Sequence, residues 1–435
     1  MRLSVLLGDR RRLSWAFYDW ANSAYATVVM AGFFPIFFRD YWSAGQESSS
    51  ITLNLGLANS SASVLIVVLA PLLGSIADAG ALKKRLLLSF AGLGVVTTAG
   101  LFLVAQGDWM LAWVLFVLGT IGFMGGNVFY DSLMVSVAGE EDYDLVSGLG
   151  FALGYLGGGL LFAFCVLLTF QPELLGLASA AEAVRLSFLL TAAWWAVFTI
   201  PILLFVPEPR TAASGTRRGA VRAGLRQFVD TFHEIRRLRV VMLFLLAYWL
   251  YIDGVDTIIR MAVDYGRALG FGAQSLVAAL LITQFVGFPA AIAFGRLGQR
   301  IGPKNGIYVA IAVYVVVTIW GSRMDAVWEF YAIAVTIGLV QGGVQALSRS
   351  MYARLIPKSR SGEFFGFYNM LGKFAAILGP VLVGVVGELS GSPRIGILSL
   401  LVFFVLGAAM LYLVDESRGR QAAAELDRDI GRTTT

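Results

Sequence analysis

The sequence holds one cysteine and one histidine among its 435 residues. Cys165 therefore has no partner for a disulfide within the chain. His233 alone builds neither a histidine metal site nor a histidine-based triad. His233-Glu234 opens like the zinc-protease motif HExxH, but Arg237 stands where the second histidine belongs. Neither a GxxxxGK[ST] phosphate loop nor a GxSxG nucleophile turn occurs. Charge is scarce as well: 14% of the residues are Asp, Glu, Lys or Arg, where soluble domains carry about a quarter. These gaps leave an enzyme without a nucleophile–base set and a primary pump without a nucleotide site. No cofactor and no metal is expected.

Apolar length is what the chain has instead, with 58% hydrophobic residues gathered in long runs. A bilayer core of about 30 Å is crossed by roughly 20 apolar residues in a helix. By that ruler there are twelve spans: 14–38, 53–76, 86–105, 111–136, 146–170, 186–206, 240–264, 275–297, 305–322, 328–350, 364–387 and 395–414. The runs lack two-residue alternation, so an all-α membrane protein is expected rather than a lipid-facing barrel. The first run is too long for a signal peptide, and no small-residue cleavage site follows it. Lysines and arginines cluster before the first span, after every even-numbered span and behind the last. That asymmetry places both termini in the cytoplasm and the spans in the cell (inner) membrane. The net charge of +5 is dispersed over separate cytoplasmic turns beside membrane lipids, so it gives no reason to expect nucleic-acid binding.

The longest polar interruption, 207–239, begins PEPR and divides the chain into two sets of six spans. Within it Leu225, Phe228, Val229, Phe232 and Ile235 recur at helical spacing among arginines. This is an amphipathic basic helix, suited to an anionic membrane surface or to packing on the bundles. The expected organisation is a six-helix bundle over 1–206, a linker over 207–239, a second bundle over 240–416 and a polar tail over 417–435. The bundles look duplicated. GSIADAGALKKR after span two has Gly74, Asp78 and Gly80, then Lys83, Lys84 and Arg85; GRLGQRIGPKNG after span eight has Gly295, Gln299, Arg300, Gly302 and Lys304. Asp19-x-x-Asn22 on span one is echoed by Asp253-x-x-Asp256 on span seven. Gly125-Gly126 before Asp131 on span four is echoed by Gly342-Gly343 before Arg349 on span ten. Two related bundles are the plan of a transporter that rocks about a central site, lined by spans one, four, seven and ten.

Ionisable groups inside a span cost several kcal/mol unless paired or hydrated, and so mark function. Here they are Asp19, Asp131, Asp253, Asp256, Arg349 and Lys373, mostly on the expected cavity liners. Asp253 and Asp256 share a helix face. One of them could carry a proton, or Asp256 could instead pair with Arg260. Asp131 and Arg349 are placed to close an inner gate by a salt bridge; Arg349 could alternatively bind an anionic group of the solute. Asn22, Asn127, Tyr130, Tyr155, Gln341, Gln345 and Asn369 suit a small polar solute held by several hydrogen bonds, or else join helices to one another. Gly150, Gly154 and Gly158 at four-residue spacing mark a face made for close packing or sliding.

Several stretches carry a family resemblance. GSIADAGALKKR resembles the signature loop between spans two and three of the major facilitator superfamily. WAFYDWANSAYATVV, SGLGFALGYLGGG, QGGVQALSRSMYARLIP and EFFGFYNMLGKFAAILGP are similar to the vacuole-effluxer-like branch, whose fungal members are linked to autophagy and amino-acid release. The resemblance implies alternating access. It also implies an inner-gate loop built from Gly74, Asp78, Gly80, Lys83, Lys84 and Arg85, with a second-half copy at Gly295, Arg300, Gly302 and Lys304. Gln299 replaces the acid there, so the same charge relay cannot form. The glycine run lacks the proline of the antiporter motif. The expected function is secondary transport of a small-molecule substrate. A small polar metabolite fits best, an amino acid being the candidate, with efflux and protons as the coupling ion. The other readings are a lipophilic-drug exporter and a non-transporting membrane sensor or scaffold.

Overall fold

The hydrocarbon core of a bilayer offers no hydrogen-bond partner, so the backbone is satisfied internally, and among the described residues every regular element is helical. The structure is a computed structural model that describes residues 8–208, 228 and 238–433. Among the described residues, twelve helices are long and apolar enough to cross a bilayer. The first six are α1 (Arg10–Trp42), α2 (Leu53–Gly80), α3 (Lys83–Leu103), α4 (Trp109–Val137), α5 (Glu140–Phe170) and α6 (Ala180–Phe205). The second six are α7 (Arg239–Ala262), α8 (Gln274–Ile301), α9 (Pro303–Gly321), α10 (Val327–Leu355), α11 (Lys358–Ser390) and α12 (Pro393–Tyr412). A polar helix, α13 (Glu416–Thr433), follows. α1 widens into π-helical turns over Tyr25–Phe33 and Phe38–Trp42, on either side of a short α-helical stretch at Pro35. The amphipathic helix expected around 225–235 lies outside the described residues except for Phe228, whose ring stacks on Phe367 with centroids 6.0 Å apart.

Polar contacts define two ends. At the basic end, Arg12 pairs with Asp142 at 3.1 Å, and Lys358 pairs with Glu140 at 3.0 Å. Lys84 Nζ donates to the carbonyls of Leu203 and Val206 at the close of α6. Lys304 Nζ does the same for Tyr412 and Val414 at the close of α12. These lysines satisfy terminal carbonyls and complement the helix dipoles. At the opposite end Arg185 Nε donates to Phe102 O at 2.8 Å and Arg394 pairs with Asp325, each within its own half, while Gln284 Nε2 of α8 donates across the halves to Thr27 Oγ1 of α1 at 3.3 Å.

The turn after α2 carries its left-handed residue one position beyond the glycine. Gly80 is the last helical residue, and Ala81 takes the left-handed conformation, φ 48°. Gly302 has that role after α8, at φ 83°. An L-residue with a Cβ pays about 1–2 kcal/mol there. Ala81→Gly is therefore expected to stabilise the protein by about 0.5–1 kcal/mol, after the larger entropy loss of glycine is subtracted. Thermal unfolding of detergent-solubilised protein checks this; an unchanged or lower midpoint contradicts it.

Candidate functional site

Between the two halves, a set of buried polar side chains meets on one arginine. Arg349, on α10, is 3% exposed. Its Nη1 donates to Asp131 Oδ1 at 3.0 Å and lies 3.7 Å from Asp19 Oδ2. Nε donates to Ser147 Oγ at 2.9 Å and Nη2 to Ser147 O at 3.0 Å. Ser147 Oγ in turn donates to Ala346 O. Asn369 Nδ2 on α11 donates to the second Asp131 oxygen at 3.0 Å, and Tyr130 Oη donates to Asp19 Oδ2 at 3.0 Å. The network thus joins α1, α4 and α5 to α10 and α11. Taking charges out of water is costly, and it is tolerated here because each carboxylate and each guanidinium nitrogen has a partner. Of the sequence candidates, the structure brings Asp19, Tyr130, Asp131, Arg349 and Asn369 together. Ser147 is an addition that nothing in its local sequence marks.

Toward the basic end the halves close on one another through backbone. A methyl group on Gly74 would lie 2.2 Å from Gly362 O, and one on Gly366 would lie 2.6 Å from Ala70 O, so α2 and α11 touch directly. A methyl on Gly148 would lie 2.7 Å from Ala291 O, which places α5 equally close to α8. Asp78 accepts from the amides of Gly362 and Glu363 at 3.0 and 2.8 Å, at the start of α11, and from Lys83 Nζ at 2.8 Å. Lys83 also donates to Ser361 Oγ. A carboxylate at a helix N-terminus is favoured by the exposed amides and the dipole. Gly74, Asp78 and Lys83 thus sit at the seam as expected. Lys84 caps α6, and Arg85 is exposed.

The second-half loop departs from its copy. Gln299 Nε2 donates to Glu141 O at 3.1 Å, and Gly295 packs against Asp144 O. Arg300 is exposed. The charge that the loop lacks is supplied elsewhere: Arg354 makes a two-pronged bond to Asp144 at 2.8 and 2.9 Å, with Ser350 Oγ on the same carboxylate. This pair, buried on both sides, was not among the sequence candidates. Ser132 and Ser350 directly follow Asp131 and Arg349: the Ser132 carbonyl accepts from Ser361 Oγ at the start of α11, and the Ser350 hydroxyl donates to Asp144 near the start of α5.

Other candidates lie apart from the Arg349 network. Asp253 is 1% exposed and turns toward α11, where Oδ1 accepts from Gly379 N at 2.9 Å; Thr257 Oγ1, one turn on along α7, donates to the same oxygen at 3.4 Å. Its Oδ2 is buried with no partner among the described residues. Asp256 is half-buried and has Arg260 and Lys373 as charged neighbours, but forms no ion pair among the described residues. The Tyr155 ring wedges between Gly287 and Gly342 of the opposite half. The glycine spacing on α5 does not mark a sliding surface between halves: Gly154 and Gly158 pack on Ser23 and Thr27 of α1, in their own bundle. Their four-residue spacing fixes one helix face, and that face points inward.

The amides form a second layer. Asn22 follows Asp19 by three residues. Asn127 precedes Asp131 by four, Gln345 and Gln341 precede Arg349 by four and eight, and Lys373 follows Asn369 by four. On helices rising 1.5 Å per residue, these positions lie on the network's own faces, about 5–12 Å farther from the basic end. Asn127, Gln341, Gln345 and Lys373 each retain partial exposure. Asn22 Nδ2 donates to Asn127 Oδ1 at 2.5 Å, and Gln341 Oε1 has no partner among the described residues.

Twelve spans in two related bundles, closed at one end around buried charges that straddle them, define a multi-pass membrane transporter of the major facilitator type, not an enzyme. Solved structures agree on the fold. The human organic anion transporter MFSD10 (TETRAN) matches with a TM-score of 0.73 at 15% identity, over 92% of this chain and 99% of that one. The proton:xylose symporter XylE matches with a TM-score of 0.72 at 12% identity, over 94% and 96%. The family model described as "Vacuole effluxer Atg22 like" matches residues 8–142 and 138–424, and the chain belongs to that family. Its relatives include an uncharacterized MFS-type transporter, YxiO, of Bacillus subtilis (strain 168), 40% identical over 93% of this chain and 94% of the relative. Autophagy-related protein 22-1 of Phaeosphaeria nodorum is 26% identical over 89% of this chain and 80% of its own.

Proposed function

We propose that the protein exports a small polar metabolite across the cell membrane by alternating access, its basic end in the cytoplasm. The reading is carried by the amide layer. Asn22, Asn127, Gln341 and Gln345 stack above the Asp19–Asp131–Arg349 network on the same helix faces, and all but the buried Asn22 keep partial exposure, which a merely structural set of interhelical bonds would not need. A solute of this size is held there by several hydrogen bonds from both bundles, and the bundles tilt about it. The direction follows from the family's description as effluxers. Placement of the arginine-rich end inside follows the charge rule. In the conformation described, that cytoplasmic side is shut.

Asp253 supports protons as the coupling ion. A buried carboxylate with one oxygen unpaired holds a proton readily and gives it up once water reaches it. Purified protein in liposomes is expected to exchange a labelled solute found by a thermal-shift screen of amino acids, peptides and sugars. Asp253→Asn is expected to keep that counterflow while losing uphill accumulation driven by a pH gradient. Exchange with no solute at all overturns the transport reading. Undiminished uphill accumulation in the variant removes Asp253 from coupling.

A further inference from the structure

Every group that holds the Arg349 guanidinium belongs to the other half of the molecule. Asp131 and Asp19 supply charge, and Ser147 supplies a hydroxyl and a carbonyl oxygen. Three rings enclose the cation: Phe151, Trp15 and Tyr130, with centroids 4.4, 4.9 and 5.2 Å from the guanidinium carbon. The enclosure is itself fixed, because Trp15 Nε1 donates to Tyr130 O at 2.8 Å and the two rings stack at 4.4 Å. Thus α1, α4 and α5 alone build a receptor for a planar cation, with hydrogen-bond acceptors around its edge and aromatic faces about it.

Arg349 reaches this receptor from α10, in the bundle that tilts away when the basic end opens. Its departure leaves two buried carboxylates without the positive charge that Arg349 supplies in the closed state, and an uncompensated buried charge is strongly unfavourable. The geometry points to a second occupant: the N-terminal bundle carries a cation-binding site that Arg349 fills in the closed state, and that a guanidinium or primary ammonium group of the solute fills once Arg349 has withdrawn. This rests on the transport reading above and narrows the substrate class to solutes bearing such a group. Arg349 and the solute then compete for one place, so the receptor is neutralised in both conformations. Asn369, the other second-half residue on Asp131, leaves together with Arg349 and frees a further acceptor for the incoming N–H groups.

The test removes the tethered cation and supplies a free one. Detergent-purified Arg349→Ala is mixed with about 10 mM guanidinium chloride or with urea, which has the same shape and no charge. Guanidinium is expected to raise the variant's unfolding midpoint by about 2 °C or more. Urea is expected to raise neither, and wild type is expected not to respond to guanidinium. Arg349→Ala/Asp131→Asn is expected to lose the response. Should Arg349→Ala not survive purification unaided, guanidinium present from solubilisation onward is expected to yield monodisperse protein where urea does not. Equal behaviour in guanidinium and urea overturns the proposal. So does a response that persists in the double variant, or recovery of the single variant by acidification alone, since protons would then be the occupant. Counterflow separates the two levels. Guanidinium binding to Arg349→Ala without wild-type exchange of any solute sustains the site and removes the transport reading. Exchange of neutral solutes with no guanidinium effect does the reverse.

Discussion

Leucine at Gly74 is expected to lower transport at least about a hundredfold while leaving the protein folded. The position admits no side chain in the closed state, where a Cβ would meet Gly362 O at 2.2 Å, Gly362 C at 2.6 Å and Glu363 Cα at 2.8 Å. These are backbone atoms of α11, so no rotamer change relieves the clash. Overpacking costs about 1–3 kcal/mol when side chains can yield, and more when they cannot. The clash lies on the seam between halves, so the molecule escapes it by staying open at the basic end. A bias of about 3 kcal/mol shifts that equilibrium by roughly two orders of magnitude. Two measurements check this. Counterflow should collapse, and a cysteine placed at Ser361, beside the seam, should become reactive to a maleimide applied from the basic side. Cys165 is fully buried and contributes little background. Gly92→Leu, at a position with open space around it, is the matched control. Normal transport by Gly74→Leu would refute the seam.

Asp144→Asn is expected to shift the same balance by two to three orders of magnitude, through charge rather than volume. Asp144 and Arg354 have side-chain exposures of 2% and 4%. Removing one partner of such a pair leaves the other buried and uncompensated, at a cost of about 3–5 kcal/mol. The asparagine can still accept from Arg354 or Ser350, which favours the lower figure. The closed state alone contains the pair, so the variant should favour the state open at the basic end, and the Ser361 cysteine should again label faster. Arg354→Gln added to Asp144→Asn should recover most of the loss, because the stranded charge is then gone. If the double variant is as impaired as the single one, the pair does not act as a unit.

Much of this arrangement was readable from the sequence because a bilayer imposes it in plain form. Each crossing must be about 20 apolar residues long, so twelve runs gave twelve helices. A polar group within such a run is conspicuous, and Asp19, Asp131, Arg349 and Asn369 stand out in the sequence for that reason. Asp144 and Arg354 do not, although their bond is the shorter and less exposed one. They stand at span ends among other charged residues, where a lone charge is ordinary and periodicity says nothing about a partner over 200 positions away. Asp253 and Asp256 show the limit of face arguments. Three residues along a helix still leave about 60° of rotation, enough to aim one at Gly379 and leave the other beside Lys373.

The seam's charges also differ in what the surrounding medium can reach. Lys358 and Glu140 are 50% and 42% exposed at their side chains, so mobile ions shield them within about 8 Å at physiological ionic strength. Asp78–Lys83 and Asp144–Arg354 are sealed from those ions. Closure of the basic end is therefore insulated from changes in ionic strength on that face, and only the outermost clasp feels them.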